Sequence, residues 1–221
     1  MIDLPYVTSS LRPTRQPRLP WGRVNSLIDG VFGFSATVLM LRLGTPVFEE
    51  GGLGAALTEQ APYYLLYAVG FVQIVGTWSV LRRLSQWSIG LDFYAMLLAF
   101  STLMMWATIP FTVDVLAESI GNDDDMAAAV RLMATTLLVG MVAYTALFWR
   151  LEKCGWFRED LDQRVFAVAR LVSYTVVAWP ATTLLLTFVS PWAALLVYAG
   201  SVVLSLIPLE AMTTEQYEEF R

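Results

Sequence analysis

The sequence predicts an all-α, polytopic membrane protein with six transmembrane helices, and three observations predict it. Of its 221 residues, 57% are hydrophobic and 15% are charged. The apolar residues gather into long runs, each close to the roughly 20 residues that carry a helix across about 30 Å of hydrocarbon. Lys and Arg alternate between connections as six crossings require. A soluble domain of this length buries one core and has no use for so many such runs.

The six segments follow in order. The first runs from about Ser26 to Leu43, the second from Ala61 to Leu81 and the third from Leu91 to Val113. The fourth runs from Met126 to Trp149, the fifth from Val165 to Phe188 and the sixth from Pro191 to Leu209. The last two are joined by little more than Ser190-Pro191 and form a tight hairpin. Pro110 and Pro180 each remove a backbone bond and kink the third and fifth. Gly70, Gly76, Gly140 and Gly200 are sites of close helix contact. Trp21, Tyr63, Tyr64, Trp149, Trp156 and Trp192 fall near segment ends, as interfacial aromatics do, whereas Trp78 and Trp106 lie deeper and read as core packing.

Orientation follows from the basic residues. Arg12, Arg15, Arg18 and Arg23, then Arg82 and Arg83, then Arg150, Lys153, Arg158 and Arg164 all fall on one side of six spans. By the positive-inside rule that side is cytoplasmic and holds both termini, in a cell membrane. Residues 1–22, with Pro13, Pro17 and Pro20, read as a cytoplasmic arm, not a signal peptide. Residues 211–221 read as an acidic cytoplasmic tail. The opposite loops carry Glu49, Glu50, Glu59, Asp114, Glu118 and Asp123 to Asp125. These either raise the local cation concentration or are plain solvated loops.

Composition also excludes. A net charge of -5 argues against nucleic acid as a partner. Lone Cys154 allows no intrachain disulfide. The absence of histidine removes the commonest metal ligand and general base. No metal site, no cofactor and no enzyme activity are expected.

The informative stretch is Arg23 to Leu43. At about 100° per residue, Gly30, Phe34, Thr37 and Leu41 form one narrow stripe, flanked by Asp29, Ala36 and Met40 and by Ser35 and Arg42. A simple anchor needs neither the polar start nor the small residues, and the stripe reads as the lining of an ion pathway. Ser26-x-x-Asp29 fits a capping box with Ser26 as N-cap. Arg23 and Asp29, about 120° apart on a helix, seek partners elsewhere, with Arg82, Arg83 and Asp92 at the same depth. Capping and pairing are both open here. Arg42 and Arg131 read as snorkelling to the outer surface. Arg170 snorkels inward or faces Asp92.

These residues resemble the TMEM175-type potassium channels in their short prokaryotic form. That family opens its first helix with Arg, three residues, then Phe-Ser-Asp; here Arg23 is followed after three residues by Leu27-Ile28-Asp29, then Gly30-Val31-Phe32. Asp92, Ile109-Pro110-Phe111-Thr112 and Trp78 are similar to the family's Asp, Pro-Phe-Thr and Trp. Leu27 and Ile28 depart from the motif, and the histidines that usually follow the Trp are absent. The resemblance covers about residues 21–120. It implies that residues 23–210 form a six-helix channel domain in a homotetramer whose first helices line a central pathway. It implies a hydrophobic constriction of Phe34, Val38 and Leu41 with Thr37 as a hydroxyl layer. Arg23, Asp29, Gly30, Trp78 and Asp92 form the motif and bracing of the pore helix. Potassium or other monovalent cations and membrane lipids are the partners implied. A secondary transporter and a non-conducting scaffold are the rival readings. No internal repeat and no midplane carboxylate speaks for the transporter.

Overall fold

A computed structural model describes residues 19–41 and 43–205, with the backbone alone for Val165 and 201–205. Among the described residues there is no strand beyond two isolated bridges. The helices are α1 Trp21–Leu41, α2 Leu53–Glu59, α3 Ala61–Trp87, α4 Phe93–Ala107, α5 Ile109–Glu118, α6 Asp123–Lys153, α7 Gln163–Thr175, α8 Ala178–Leu186 and α9 Pro191–Ser205. Five stretches are long and apolar enough to cross a membrane: α1, α3, α4 with α5, α6, and Phe166–Leu186. The apolar helix α9 is the shorter sixth. This is a polytopic all-α membrane protein.

The expected segments are all present, with shifted ends. The helix α1 starts five residues before Ser26, α3 runs on past Leu81 to Trp87, and α6 extends beyond both expected ends. The short α2 was not foreseen. Residues 206–209 of the sixth segment, the arm up to residue 18, the tail and Arg42 lie outside the described residues. Each predicted kink is a true break. The third span stops at Thr108, so that Pro110 enters the first turn of α5, where its missing N–H costs nothing. The fifth span is interrupted at Val176 and Val177, just before Pro180.

The long helix α6 is the axis of the protomer, with α4, α5, α7, α8 and α9 packed around it. In lipid, apolar burial gives little drive to helix association, and close approach does the holding. Gly140 supplies it for α4 and α6: a Cβ there would lie 3.2 Å from Met105 Cβ and from Trp106 Nε1. Gly70 does the same for α3, beneath Leu39 of α1 and Val113 of α5. Trp106 is core, as expected.

The basic connections meet at one end. Leu19 and Leu91 exchange backbone bonds at 3.0 and 2.9 Å, Ile89 N–H donates to Trp156 O at 2.9 Å, and Arg158 N–H donates to Trp87 O at 2.8 Å. The start of α1 and both basic connections are thereby joined, which an even number of spans requires. Trp21 and Trp156 are buried here instead of lying in an interfacial belt. Trp21 Nε1 donates to Ser88 Oγ at 2.6 Å. Trp156 is drawn in by a glycine turn that ends α6. Gly155, at φ 66°, lets Trp156 N–H reach back to Leu151 O at 3.0 Å.

Asp92 caps α4, accepting from Ala95 N at 2.8 Å. It also accepts from Arg150 of α6 along one edge of the guanidinium, Nε donating to Oδ1 at 2.9 Å and Nη2 to Oδ2. Arg150 lies 4.9 Å from the Tyr94 ring centroid. Elsewhere on α6, Glu152 pairs with Arg170 at 3.0 Å and accepts from Tyr174. Arg170 therefore pairs across the contact between α6 and α7 and does not face Asp92. Arg131 does not simply reach for the surface either: it donates to Thr187 at 3.3 Å and lies over Phe188, closing the end of α8.

Gly140→Ala is expected to destabilise the protomer by about 1–3 kcal/mol through overpacking, read as a lower melting temperature in detergent. Asp92→Asn is expected to cost about 3 kcal/mol by breaking a partly buried charged pair. The Arg150 hydrogen bond holds the Asp92 carboxyl below its ordinary range, and burial only partly opposes it. A depressed carboxyl contributes stability above its unfolded pKa and loses it as pH falls through the lower folded value. Wild-type melting temperature should therefore drop on acidification below about pH 4, and the drop should be smaller in Asp92→Asn.

Candidate functional site

The helix α1 is packed on one side only. Trp21, Val24, Ile28, Phe32, Ser35 and Leu39 are buried, and they recur at the spacing of a single helical face. The opposite face is open. Phe34 is 71% exposed and Leu41 74%, with Thr37, Gly30 and Arg23 exposed in line with them. The stripe read from the sequence is thus the face of α1 turned fully away from the protomer's own core. Val38, on its flank, is half-buried.

Small residues make this face narrow. A Cβ at Gly30 or Gly33 would meet nothing within 4 Å. Neither glycine is required by packing inside the protomer. Thr37 Oγ1 donates to Gly33 O at 3.0 Å, so the hydroxyl proton is committed to the helix itself.

At the foot of the face, Asp29 Oδ1 accepts from Trp78 Nε1 at 2.7 Å. This bond ties α1 to α3. It also decides between the two sequence readings of Asp29. Ser26 is not an N-cap, because α1 begins at Trp21; its hydroxyl donates back to Gly22 O at 3.2 Å. Nor is Trp78 a core residue: it is 36% exposed and its ring nitrogen serves the carboxylate. Arg23 is exposed and makes no ion pair among the described residues. Asp92 makes no bond to this foot; it belongs to the Arg150 pair described above, and Leu91 beside it bridges to Leu19, just before α1. The structure therefore joins Asp29 with Trp78 and leaves Arg23 and Asp92 apart from them.

Several positioning residues escaped the sequence reading. Gln73 of α3 accepts from Tyr198 of α9 in a buried bond inside the spans. Thr145 donates to Ser173 O at 2.7 Å, and Tyr144 meets Ser173 Oγ at 3.2 Å, beside the break in the fifth span. Gln73 was a visible signal, being an amide in an otherwise apolar run. The Thr145 contact had none, since hydroxyls are common in spans and bond their own helix.

The fold has known counterparts. A lysosomal potassium-selective channel TMEM175 homolog from Chamaesiphon minutus superposes with a TM-score of 0.73 at 21% identity, over 85% of this chain and 97% of that one. A variant of the potassium channel MtTMEM175, in complex with a nanobody–MBP fusion, gives 0.58 at 14% identity over 97% and 98%. These likenesses establish the architecture. In sequence, the family described as endosomal/lysosomal potassium channel TMEM175 matches residues 23–110, which includes Arg23, Asp29, the whole open stripe, Trp78 and Asp92. A potassium channel of Streptomyces collinus is 32% identical over 149 residues, 67% of this chain and 71% of that protein. With a match of that extent to a relative, the chain belongs to the TMEM175 family.

Proposed function

We propose that this protein is a potassium channel: a passive, weakly selective cation pathway formed by a homotetramer in the cell membrane, with both termini cytoplasmic. Family membership and the relatives named as potassium channels support conduction of potassium. The observation that carries the detail is the contrast between exposed faces. The other spans expose mainly bulky apolar side chains, such as Leu65, Met104, Val142, Leu171, Leu185 and Leu196, as lipid contact demands. The open face of α1 instead presents Arg23, Gly30 and Thr37 among Phe34 and Leu41, with Asp29 and Gly33 beside them. Charged groups on a lipid-facing helix are costly, and exposed glycines invite another helix.

One helix encloses no pore, so the face acts only when copies meet around an axis. Four α1 helices would place Phe34 and Leu41 as apolar rings, with Val38 beside them and Thr37 as a hydroxyl layer between. Apolar rings close a pore by dewetting, and hydroxyls replace part of an ion's hydration. The Asp29–Trp78 bond would hold the foot of each pore helix against its own subunit. No catalysis and no cofactor enter this reading.

Potassium flux into liposomes containing the purified protein tests it. Flux without any coupling gradient separates a channel from a secondary transporter, and any flux at all separates it from a scaffold. Phe34→Ala should raise flux about tenfold, equivalent to lowering the permeation barrier by about 1.4 kcal/mol. Thr37→Ala should shift the potassium-to-sodium ratio. If both variants permeate as wild type does, the wrong helix has been assigned.

Gly30→Leu is the complementary test. The protomer has open space at this position, and leucine is the better helix former by about 0.5–1 kcal/mol. Protomer stability should hold or rise while flux or tetramer assembly is lost. Normal conduction by Gly30→Leu would place that face against lipid.

A further inference from the structure

The open side of α3 changes character along its length. Its buried residues, Gly70, Gln73, Ile74, Leu81, Leu84 and Ser85, share one face. On the opposite side, at about 100° per residue, Leu65, Ala68, Phe71 and Val75 fall in one stripe about 120° wide. All four are exposed and apolar, as lipid contact demands. Arg82, Arg83 and Gln86 continue the same stripe. Arg83 stands about five turns below Leu65 at the same phase, and Leu65 is 67% exposed. From Leu65 to Arg82 is about 26 Å of helix, close to the roughly 30 Å of a hydrocarbon core. The two guanidinium groups therefore come level with the headgroups of the leaflet at the basic end. The Asp29–Trp78 bond gives the same level, because Arg82 lies one turn beyond Trp78 toward the start of α1.

These charges have no answer within the described residues. Neither Arg82 nor Arg83 makes an ion pair there. Arg83 folds back along α3: its Nε donates to Ser79 O at 3.4 Å, and its Nη1 is buried with no acceptor. An unanswered guanidinium nitrogen is costly, and more so beside hydrocarbon. The carboxylates that the spans carry at this end are taken, Asp29 by Trp78, Asp92 by Arg150 and Glu152 by Arg170. A second copy brings the same basic end with the same engaged carboxylates, so like charges oppose its docking on this stripe. A phospholipid of negative charge brings what the stripe lacks. Its phosphate oxygens match the guanidinium fork, and its acyl chains match the apolar run above.

We propose that this stripe of α3 binds one anionic phospholipid of the leaflet at the basic end. Arg82 and Arg83 hold its phosphate, with the Gln86 amide beside them. Its acyl chains lie along Val75, Phe71 and Ala68. The headgroup then sits one turn from Trp78, the residue that holds Asp29 at the foot of α1, so the lipid steadies the helix on which that bond depends. The proposal rests on the exposed face of α3 and not on conduction, so its test uses no flux.

The full-length protein in detergent is titrated with phosphatidylglycerol or phosphatidylcholine, and retained lipid is counted by native mass spectrometry. Wild type should hold phosphatidylglycerol about 30-fold more tightly, at about fivefold per arginine. Arg82→Gln and Arg83→Gln should each lose about fivefold, and the double variant should bind the two lipids equally. Lys153→Gln removes a charge that lies over Trp149 on α6, and it should keep the preference. Equal binding of both lipids by wild type overturns the proposal. So does a preference that survives the double variant, or a loss in Lys153→Gln as large as in Arg82→Gln. Melting temperature is the second readout. The double variant should melt as wild type does in phosphatidylcholine and below it in phosphatidylglycerol. An equal drop in both lipids would assign the arginines to a contact within or between copies and overturns the lipid site. Inorganic phosphate that raises the wild-type melting temperature as much as phosphatidylglycerol does would make this a free-anion site and overturns it as well.

Discussion

The rotational setting of α1 is the constraint on which the functional geometry depends. A water-soluble helix is oriented by burying its apolar face, but in a bilayer both faces meet an apolar medium, and burial alone orients weakly. Polar anchors therefore decide. Trp21 bonded to Ser88 fixes the start of α1 against the α3–α4 connection. Asp29 bonded to Trp78 fixes it again two turns on, against α3. Leu39 over Gly70 sets its last third by shape. Turning α1 by half a revolution would bury Arg23, break the Asp29 bond and drive Ile28, Phe32 and Leu39 out of fitted contacts. Small as each anchor is, together they hold Phe34, Thr37 and Leu41 outward.

Around that helix the remaining spans act as a scaffold whose irregularities are satisfied internally. Inside a membrane, a broken helix must find partners for its freed backbone groups. At the break in the third span, Thr108 donates its hydroxyl to Met105 O at 2.6 Å, and its N–H joins the same turn. At the break in the fifth, the carbonyl of Ser173 would bond Val177 in an unbroken helix. Instead it accepts the Thr145 hydroxyl of α6. Both breaks lie against α6, the most buried of the spans. The prolines thus shape the bundle while Met105 O and Ser173 O, one carbonyl at each break, keep a partner.

How much of this was legible in the sequence depends on the range of the interaction. Span number, charge sidedness and the stripe on α1 are set by local composition and periodicity, and all were readable. The proline breaks were readable because the missing N–H acts within one turn. The helix ends were less so: α1 begins at Trp21 because Trp21 is anchored by Ser88, 67 residues away, and no local cap signals it. The partner of Asp29 illustrates the same limit. Ser26 at the right spacing offered a local explanation, and the true donor, Trp78, lies 49 residues on. Asp92 was read as a partner for the foot of α1 or for Arg170, but its actual partner, Arg150, comes from a helix that the motif-bearing half of the chain does not contain.

The hydroxyl layer of the proposed pore has a polarity that derives from the helix itself. A threonine hydroxyl has one proton to give and two lone pairs to offer. In α1 the Thr37 proton is directed at Gly33 O, at 3.0 Å within its own helix. What remains for the axis is oxygen. A ring of such groups presents acceptors and no donors, so it can replace water around a cation and offers an anion nothing. The same ring holds no formal charge, which keeps binding weak enough for release. Charge discrimination at this layer would then arise from an ordinary backbone hydrogen bond, while neighbouring rings of Phe34 and Leu41 would decide whether water is present at all. A carboxylate ring at the same height would bind cations more tightly and let them go more slowly. The sequence places its nearest carboxylate, Asp29, two turns below, where Trp78 already occupies it.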